Sequence, residues 1–430
     1  MSRHEDTQDF DLLLHNCRLP DGTLADLGCR DGRIAAVGDL AGQPAGRTLR
    51  CEGRAVTPGL VESHIHLDKA LLSDRTPSVE GTLQEAIRIT GEAKRRFTVE
   101  DIRARARAVL DTAVRHGTTS MRSHVEVDPI VELRGLEALL PLKADYAPAL
   151  DLQLCAFAQE GVFRLPGTEQ LLGEALRRGA DLIGGCPYTD TDGHAQIDVI
   201  FRLAREFGVD ADFHVDFFDE PEHLHLRYIV EQTIRWGWQD RVVVGHCTEL
   251  GALPPTDLAP IAAGLKEAGV GVITLPATDL YLMGRKDTQR IRRGLAPIKR
   301  LLEAGVTVAA ATNNVRNAFT PVGNANLLLM GFLLTVGAHM GTERDREEVL
   351  RMLTAHPARL LRLPECGPGL GLQADLVVWD ATRLDDLVAA QAAPWVVVKR
   401  GRITVEHERT VREPWRLSST SVSEAGRCAQ

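Results

Sequence analysis

The stretch 56-VTPGLVESHIHLDK-69 decides how the whole chain is read. An apolar run ends in two histidines one residue apart, and a strand places residues i and i+2 on the same face. Seven further runs have strand composition: 118-TTSMRSHVEV-127, 151-DLQLCAFA-158, 181-DLIGGC-186, 210-DADFHVDF-217, 241-RVVVGH-246, 270-VGVITL-275 and 306-VTVAAAT-312. Helical patterns lie between them, such as 99-VEDIRARARAVLDTAVRHG-117, 168-TEQLLGEALRRG-179, 222-EHLHLRYIVEQTIRWG-237, 257-DLAPIAAGLKEAG-269 and 291-IRRGLAPIKRLLEAG-305. Eight strands alternating with helices predict a parallel (β/α)8 TIM barrel, an α/β fold whose chemistry sits at the C-terminal ends of its strands.

The two ends of the chain have a different texture. The runs 10-FDLLLHNCRL-19 and 32-GRIAAVG-38, and later 374-ADLVVWDA-381 and 395-WVVVKRGRITV-405, are short and punctuated by Gly and Asp. They predict a small β-sandwich built from both chain ends, residues 1–57 plus 363–415, around a barrel of residues 58–362. The polar tail 416-RLSSTSVSEAGRCAQ-430 is expected to be disordered.

With 50 basic and 59 acidic residues the formal charge is −9, which argues against a nucleic-acid partner. The short segment 94-KRRF-97 reads as a solvated helix face. No run approaches the length of a membrane span, and the N-terminus lacks a signal-peptide pattern. None of the eight cysteines forms a C-x-x-C pair, so the expected state is a reduced, cytoplasmic chain.

His64 and His66 end the first barrel strand, His214 follows 210-DADF-213, and His246 ends the sixth run. Four histidines on three strand ends of one barrel make a metal fork, because neutral imidazole suits zinc and other late first-row cations. A metal there would acidify water and polarise the atom under attack, and hydrolysis then needs a group to move a proton.

At this point the chain resembles the amidohydrolase superfamily, and within it the cytosine deaminase-like branch. The resemblance rests on 56-VTPGLVESHIHLDKA-70, 118-TTSMRSHVEV-127, 157-FAQEG-161, 184-GGCP-187, 214-HVDFFDE-220, 246-HCTEL-250, 284-GRKDTQRIRRG-294, 312-TNNVRNAFTPVGNAN-326, 354-TAHPARLL-361 and 371-GLQADLVVWDA-381. It implies one divalent metal ion, zinc or iron, held by His64, His66 and His214, with His246 hydrogen-bonded to the attacking water. It also implies that the Gln159 amide reads a cyclic N–C=O edge of the substrate, donating and accepting side by side. Arg122, His124 and Arg285 are further candidates for contact with substrate. The fourth strand, 181-DLIGGCPYTD-190, contains no lysine to bridge a second metal, and Lys69 is placed at the barrel mouth.

The chain departs from the family pattern twice. The family's fifth-strand motif is H-x-x-E, and Phe217 stands where the proton-moving glutamate belongs. The aspartate expected at the end of strand eight, as metal ligand and shuttle, is Asn313. An amide has negligible basicity near neutral pH, so His246, His124 or a nearby acid (Asp216 first, then Glu126, Asp219 or Glu220) is expected to serve instead.

The expected activity is metal-dependent hydrolysis of a C–N bond, other than a peptide bond, in a small cyclic or ureido-type nitrogen compound. The alternatives on this scaffold are a non-hydrolytic ligand-binding homologue and a metal-assisted isomerase or lyase. Relatives of this type often associate, so a homo-oligomer is an expectation.

Overall fold

A computed structural model describes residues 9–410 of the chain. The tail expected at 416–430 lies outside the described residues. Four N-terminal strands, β1 (Phe10–Arg18), β2 (Leu24–Arg30), β3 (Arg33–Gly38) and β4 (Ala45–Arg50), form one sheet in the order β3-β2-β1-β4. Then comes β5 (Val56–Pro58), which leaves the barrel altogether.

The barrel strands are β6 (Leu60–Ile65), β7 (Thr118–Glu126), β8 (Asp151–Ala158), β9 (Leu182–Gly185), β10 (Asp210–Val215), β11 (Val242–His246), β12 (Gly271–Thr274) and β13 (Val308–Ala310). All eight lie in sequential order and neighbours pair in parallel. Closure falls on Asn313, whose N–H donates to the His64 carbonyl at 2.8 Å and whose carbonyl accepts from the His66 N–H at 2.9 Å. The C-terminal strands β14 (Leu376–Trp379), β15 (Pro394–Lys399) and β16 (Arg402–Glu406) form the third sheet with β5, in the order β16-β15-β14-β5.

The run 56–66, read as one strand, is therefore two. Pro58 ends β5, and Gly59 lets β6 approach β7 so closely that a Cβ there would lie 2.1 Å from Thr119 Oγ1. The two terminal sheets share one core that includes Leu12, Leu14, Leu27, Val56, Leu376, Val378 and Val396. Cys17, Cys29 and Cys51 pack in it as free thiols.

Helices cover the barrel as its periodicity demands. In the helix Val99–Arg115, Ile102, Ala106, Val109, Leu110 and Ala113 face inward, and the Thr98 side chain caps the start. The 291–305 pattern shortens to Ile298–Glu303, because Gly294 turns left-handed (φ +69°) and Pro297 follows. The 94-KRRF-97 expectation is half corrected. Arg95 and Arg96 are exposed, but Lys94 is buried among Glu126, Asp128 and Glu160. No helix among the described residues is long and apolar enough to cross a membrane.

Candidate active site

His64 and His66 reach the same point from the end of β6, and His214 reaches it from β10. His214 Nε2 lies 2.9 Å from His64 Nε2 and 3.0 Å from His66 Nε2. All three rings are buried. Burial first, and then neighbouring groups that carry positive charge, hold each imidazole well below its ordinary pKa. A neutral His214 Nε2 has either one N–H or one lone pair, so it cannot make a good hydrogen bond to both neighbours. The three nitrogens are the donor set that a divalent cation completes, and its chemistry fits zinc or iron. The Nδ1 atoms of all three have no hydrogen-bond partner among the described residues.

His246 stands at the end of β11 with left-handed φ (+71°). Its Nδ1 lies 2.7 Å from Asp279 Oδ1, and Asp279 also accepts the Leu275 N–H at 3.1 Å through Oδ2. Burial raises the Asp279 carboxyl, with His246 opposing the shift. Phe217 stacks on the other side of the imidazole, centroids 3.9 Å apart. Asn313 adopts φ +63°, a region that Asn tolerates better than most residues. Its Nδ2 donates to Thr278 Oγ1 at 3.1 Å, while its Oδ1 is buried without a partner.

These groups line one chamber, with His66, His214, His246, Asn313, Asn314, Thr278, Gln159 and Lys69 supplying its polar surface. Leu83, Ile87, Phe217, Phe319 and Tyr188 supply the rest. Among the described residues, no Asp or Glu lines it. Lys69 Nζ donates to Gln159 Oε1 at 2.9 Å and to Glu126 Oε1 at 2.7 Å.

Several expected site residues lie elsewhere. Asp216 is turned away: Oδ1 accepts the His225 N–H at 2.9 Å and Oδ2 the Leu226 N–H at 3.1 Å, so the carboxylate caps the helix His225–Arg235. Arg122 and His124 point into the barrel interior rather than the chamber. Arg122 Nη1 donates to Asp212 Oδ2 at 3.0 Å, and His124 Nε2 lies 3.2 Å from Asp212 Oδ1. Burial opposes ionisation of Asp212, but His124 and Arg122 outweigh it and hold the carboxyl low. His124 also packs against His64, centroids 4.0 Å apart. Of the other acids, Glu126 is held by Lys69 and Lys94, Asp219 accepts the Gly284 N–H at 2.8 Å, and Glu220 pairs with Arg292 at 2.7 Å. Arg285 lies over the Tyr281 ring. The carboxylates Glu126, Asp128 and Glu160 are close enough to hold a cation, and the Lys94 ammonium already stands among them.

The sequence pointed to the pair Asn313 and Asn314 without giving Asn314 a role, and Asp279 was missed. Asp279 lies in the first turn of the helix Pro276–Leu282, directly after β12, so the motif 276-PATD-279 at a barrel strand end was the available signal.

A parallel eight-stranded barrel with a histidine cluster at its strand ends defines a class of hydrolase scaffold. Within it, the chain belongs to the amidohydrolase family, whose model matches residues 48–405. It is 28% identical over 411 residues to N-isopropylammelide isopropyl amidohydrolase of Pseudomonas sp. (strain ADP), covering 94% of this chain and 99% of that one. It is 26% identical to the pterin deaminase of Rhizobium rhizogenes over 384 residues, covering 88% and 87% of the two chains. The crystal structure of 5-methylcytosine deaminase from Klebsiella pneumoniae liganded with 5-fluorocytosine superposes with a TM-score of 0.89 at 30% identity. That match covers 94% of this chain and 100% of the other. The class expected from the sequence, a cytosine deaminase-like hydrolase of non-peptide C–N bonds, agrees with this membership.

Proposed function

We propose that this chain is a metal-dependent hydrolase of a C–N bond in a cyclic or ureido-type nitrogen compound, with His246 moving the proton. The observation that carries the reading is the convergence of three buried neutral imidazole nitrogens on one point. His64, His66 and His214 would hold the cation, with the unpartnered Asn313 Oδ1 as a neutral fourth donor. A divalent ion bound there supplies Lewis acidity toward water and toward the carbon under attack.

The chain's own residues do the rest. His246 donates Nδ1–H to Asp279, which leaves Nε2 as the basic nitrogen on the chamber side. In this role it takes a proton from water and returns it to the departing nitrogen. Among the described residues no carboxylate lines the chamber to share that work, and Phe217 and Phe319 form part of its apolar wall. The names of the relatives, which carry N-isopropylammelide, pterin and 5-methylcytosine, support a planar nitrogen ring as substrate.

The test compares metal content per chain, purified without added metal, for the native protein and Asn313→Asp. Both are then assayed on ring amines and cyclic amides for released ammonia or amine. About one metal per chain with turnover of a panel member is the expected result. A metal-free, silent native protein beside an active aspartate variant would overturn the reading. One observation favours a non-hydrolytic role: no acid lines the chamber among the described residues. Product mass separates the two, since an isomerase or lyase adds no water.

A further inference from the structure

Three amides line the chamber together with Lys69: Gln159 and Asn314 have their oxygens engaged from the protein side, while Asn313 Oδ1 is the unpartnered acceptor assigned above to the cation. For Gln159 the assignment is forced by chemistry. An ammonium only donates, so the atom 2.9 Å from Lys69 Nζ is the amide oxygen.

For Asn314 the assignment passes through Asn317. Asn317 Oδ1 accepts the backbone N–H groups of Phe319 at 3.0 Å and Thr320 at 3.1 Å, which fixes that amide. Its Nδ2 therefore donates, to the Lys69 carbonyl at 3.1 Å and to Asn314 Oδ1 at 2.7 Å. On Gln159, Asn314 and Lys69 themselves, the polar hydrogens left over belong to Gln159 Nε2, to Asn314 Nδ2 and to the third N–H of Lys69. Gln159 Nε2 makes only a long contact with Cys186 Sγ, at 3.7 Å. Each oxygen keeps a second lone pair. For Gln159, however, the ammonium beside it withdraws charge and repels a second N–H dipole.

We infer that this wall of donors takes a ring through an edge that only accepts, a carbonyl beside a deprotonated ring nitrogen, so that an acidic cyclic imide or ureide is bound as its monoanion. The inference rests on the proposed reading of the chamber as a site for a cyclic nitrogen compound. It replaces the side-by-side donor and acceptor role expected of Gln159. Two further facts agree with it. No acidic side chain lines the chamber among the described residues, so nothing there repels an anion. Glu126, which pairs with Lys69, lies behind that wall and is held by Lys94 as well.

The experiment is calorimetric titration of the full-length protein with 6-azauracil and with uracil over a shared pH range. The rings have nearly the same shape, but the aza ring loses its N–H proton at lower pH. The azauracil affinity is expected to rise with that ring's own ionisation until it exceeds that of neutral uracil about tenfold or more, the size of a charge-assisted hydrogen bond. Asn314→Asp exchanges an inward amide for a carboxylate at nearly constant volume and is expected to erase the preference. Lys69→Met is expected to do the same, and either variant suffices if the other fails to fold. Equal affinity for both rings across the range overturns the inference and leaves the hydrolase reading standing. Failure of both rings to bind counts against the cyclic substrate itself and takes the inference with it.

Discussion

His246 and Asp279 form a hydrogen-bonded pair, Nδ1 to Oδ1 at 2.7 Å, with neither group exposed to solvent. The aspartate sits behind the imidazole relative to the chamber, so its effect on substrate passes through His246. Asp279→Asn removes the charge that selects the Nδ1–H tautomer and supports an imidazolium. We expect kcat to fall by about 10²-fold, the lower range for general acid–base help, with KM and metal content little changed. Steady-state kinetics beside metal analysis checks this. An equal rise in KM would point to lost substrate binding instead.

Phe217 is buried against His246 and belongs to an apolar cluster with Leu83, Leu282, Met283 and Phe319. Phe217→Ala leaves a void on the imidazole face and opens the chamber to water. The expected loss is about 3 kcal/mol in urea unfolding, the low end for a buried Phe→Ala change. Phe217→Leu should recover most of it. A Phe217→Ala protein of native stability would mean that the stack contributes nothing to the fold.

The strands and histidines were legible because each carries a local signature. Val, Ile and Ala runs of strand length mark buried parallel strands, and four of the histidines stand at or near their ends. Asp279 was only half legible: its place just after a strand end was a signal, but a helix-start acid looks the same whether or not it partners His246, 33 residues earlier. Asp216 misled for the complementary reason: an acid two residues past a candidate ligand histidine looks catalytic, while its left-handed backbone (φ +52°) goes with its use as a helix cap. Lys94 was hidden in a basic run, since its burial depends on acids from two other strand ends. The orientation of the chamber amides depends on one tertiary hydrogen bond, from Lys69 to Gln159, and on three local ones within 314–320 whose side-chain geometry composition does not reveal.

Gly245 pairs with His214 across β10 and β11. A Cβ at Gly245 would lie 3.0 Å from His64 Cε1 and 3.2 Å from His64 Nδ1. Gly245→Ala should therefore displace the His64 ring by a few tenths of an ångström from its place in the cluster, without breaking a strand. Metal content per chain is expected to drop severalfold while the far-ultraviolet circular dichroism stays native. Full metal retention would show that holding the ion does not depend on the His64 ring keeping its place.

Lys94 stands among three carboxylates, with Nζ 2.6 Å from Asp128 and 3.3 Å from Glu126 and with Glu160 as third partner. Burial works against the Glu126 carboxylate, but Lys69 and Lys94 outweigh it and bring its pKa from 4.5 down to about 2. A carboxyl that is more acidic folded than unfolded stabilises the fold above its unfolded pKa, and that contribution disappears as pH falls through the folded value. The native protein should thus lose this support only between pH 4.5 and about 2. Lys94→Met removes one of the two ammonium groups that hold Glu126 and leaves Glu126, Asp128 and Glu160 facing one another without it. At neutral pH it should cost about 3–5 kcal/mol, the usual penalty for stripping one partner from a buried ion pair. Its acid-unfolding midpoint should also move upward in pH. Urea midpoints collected across a pH series measure both effects, and an acid profile identical to the native one would show that Lys94 does not hold Glu126 ionised.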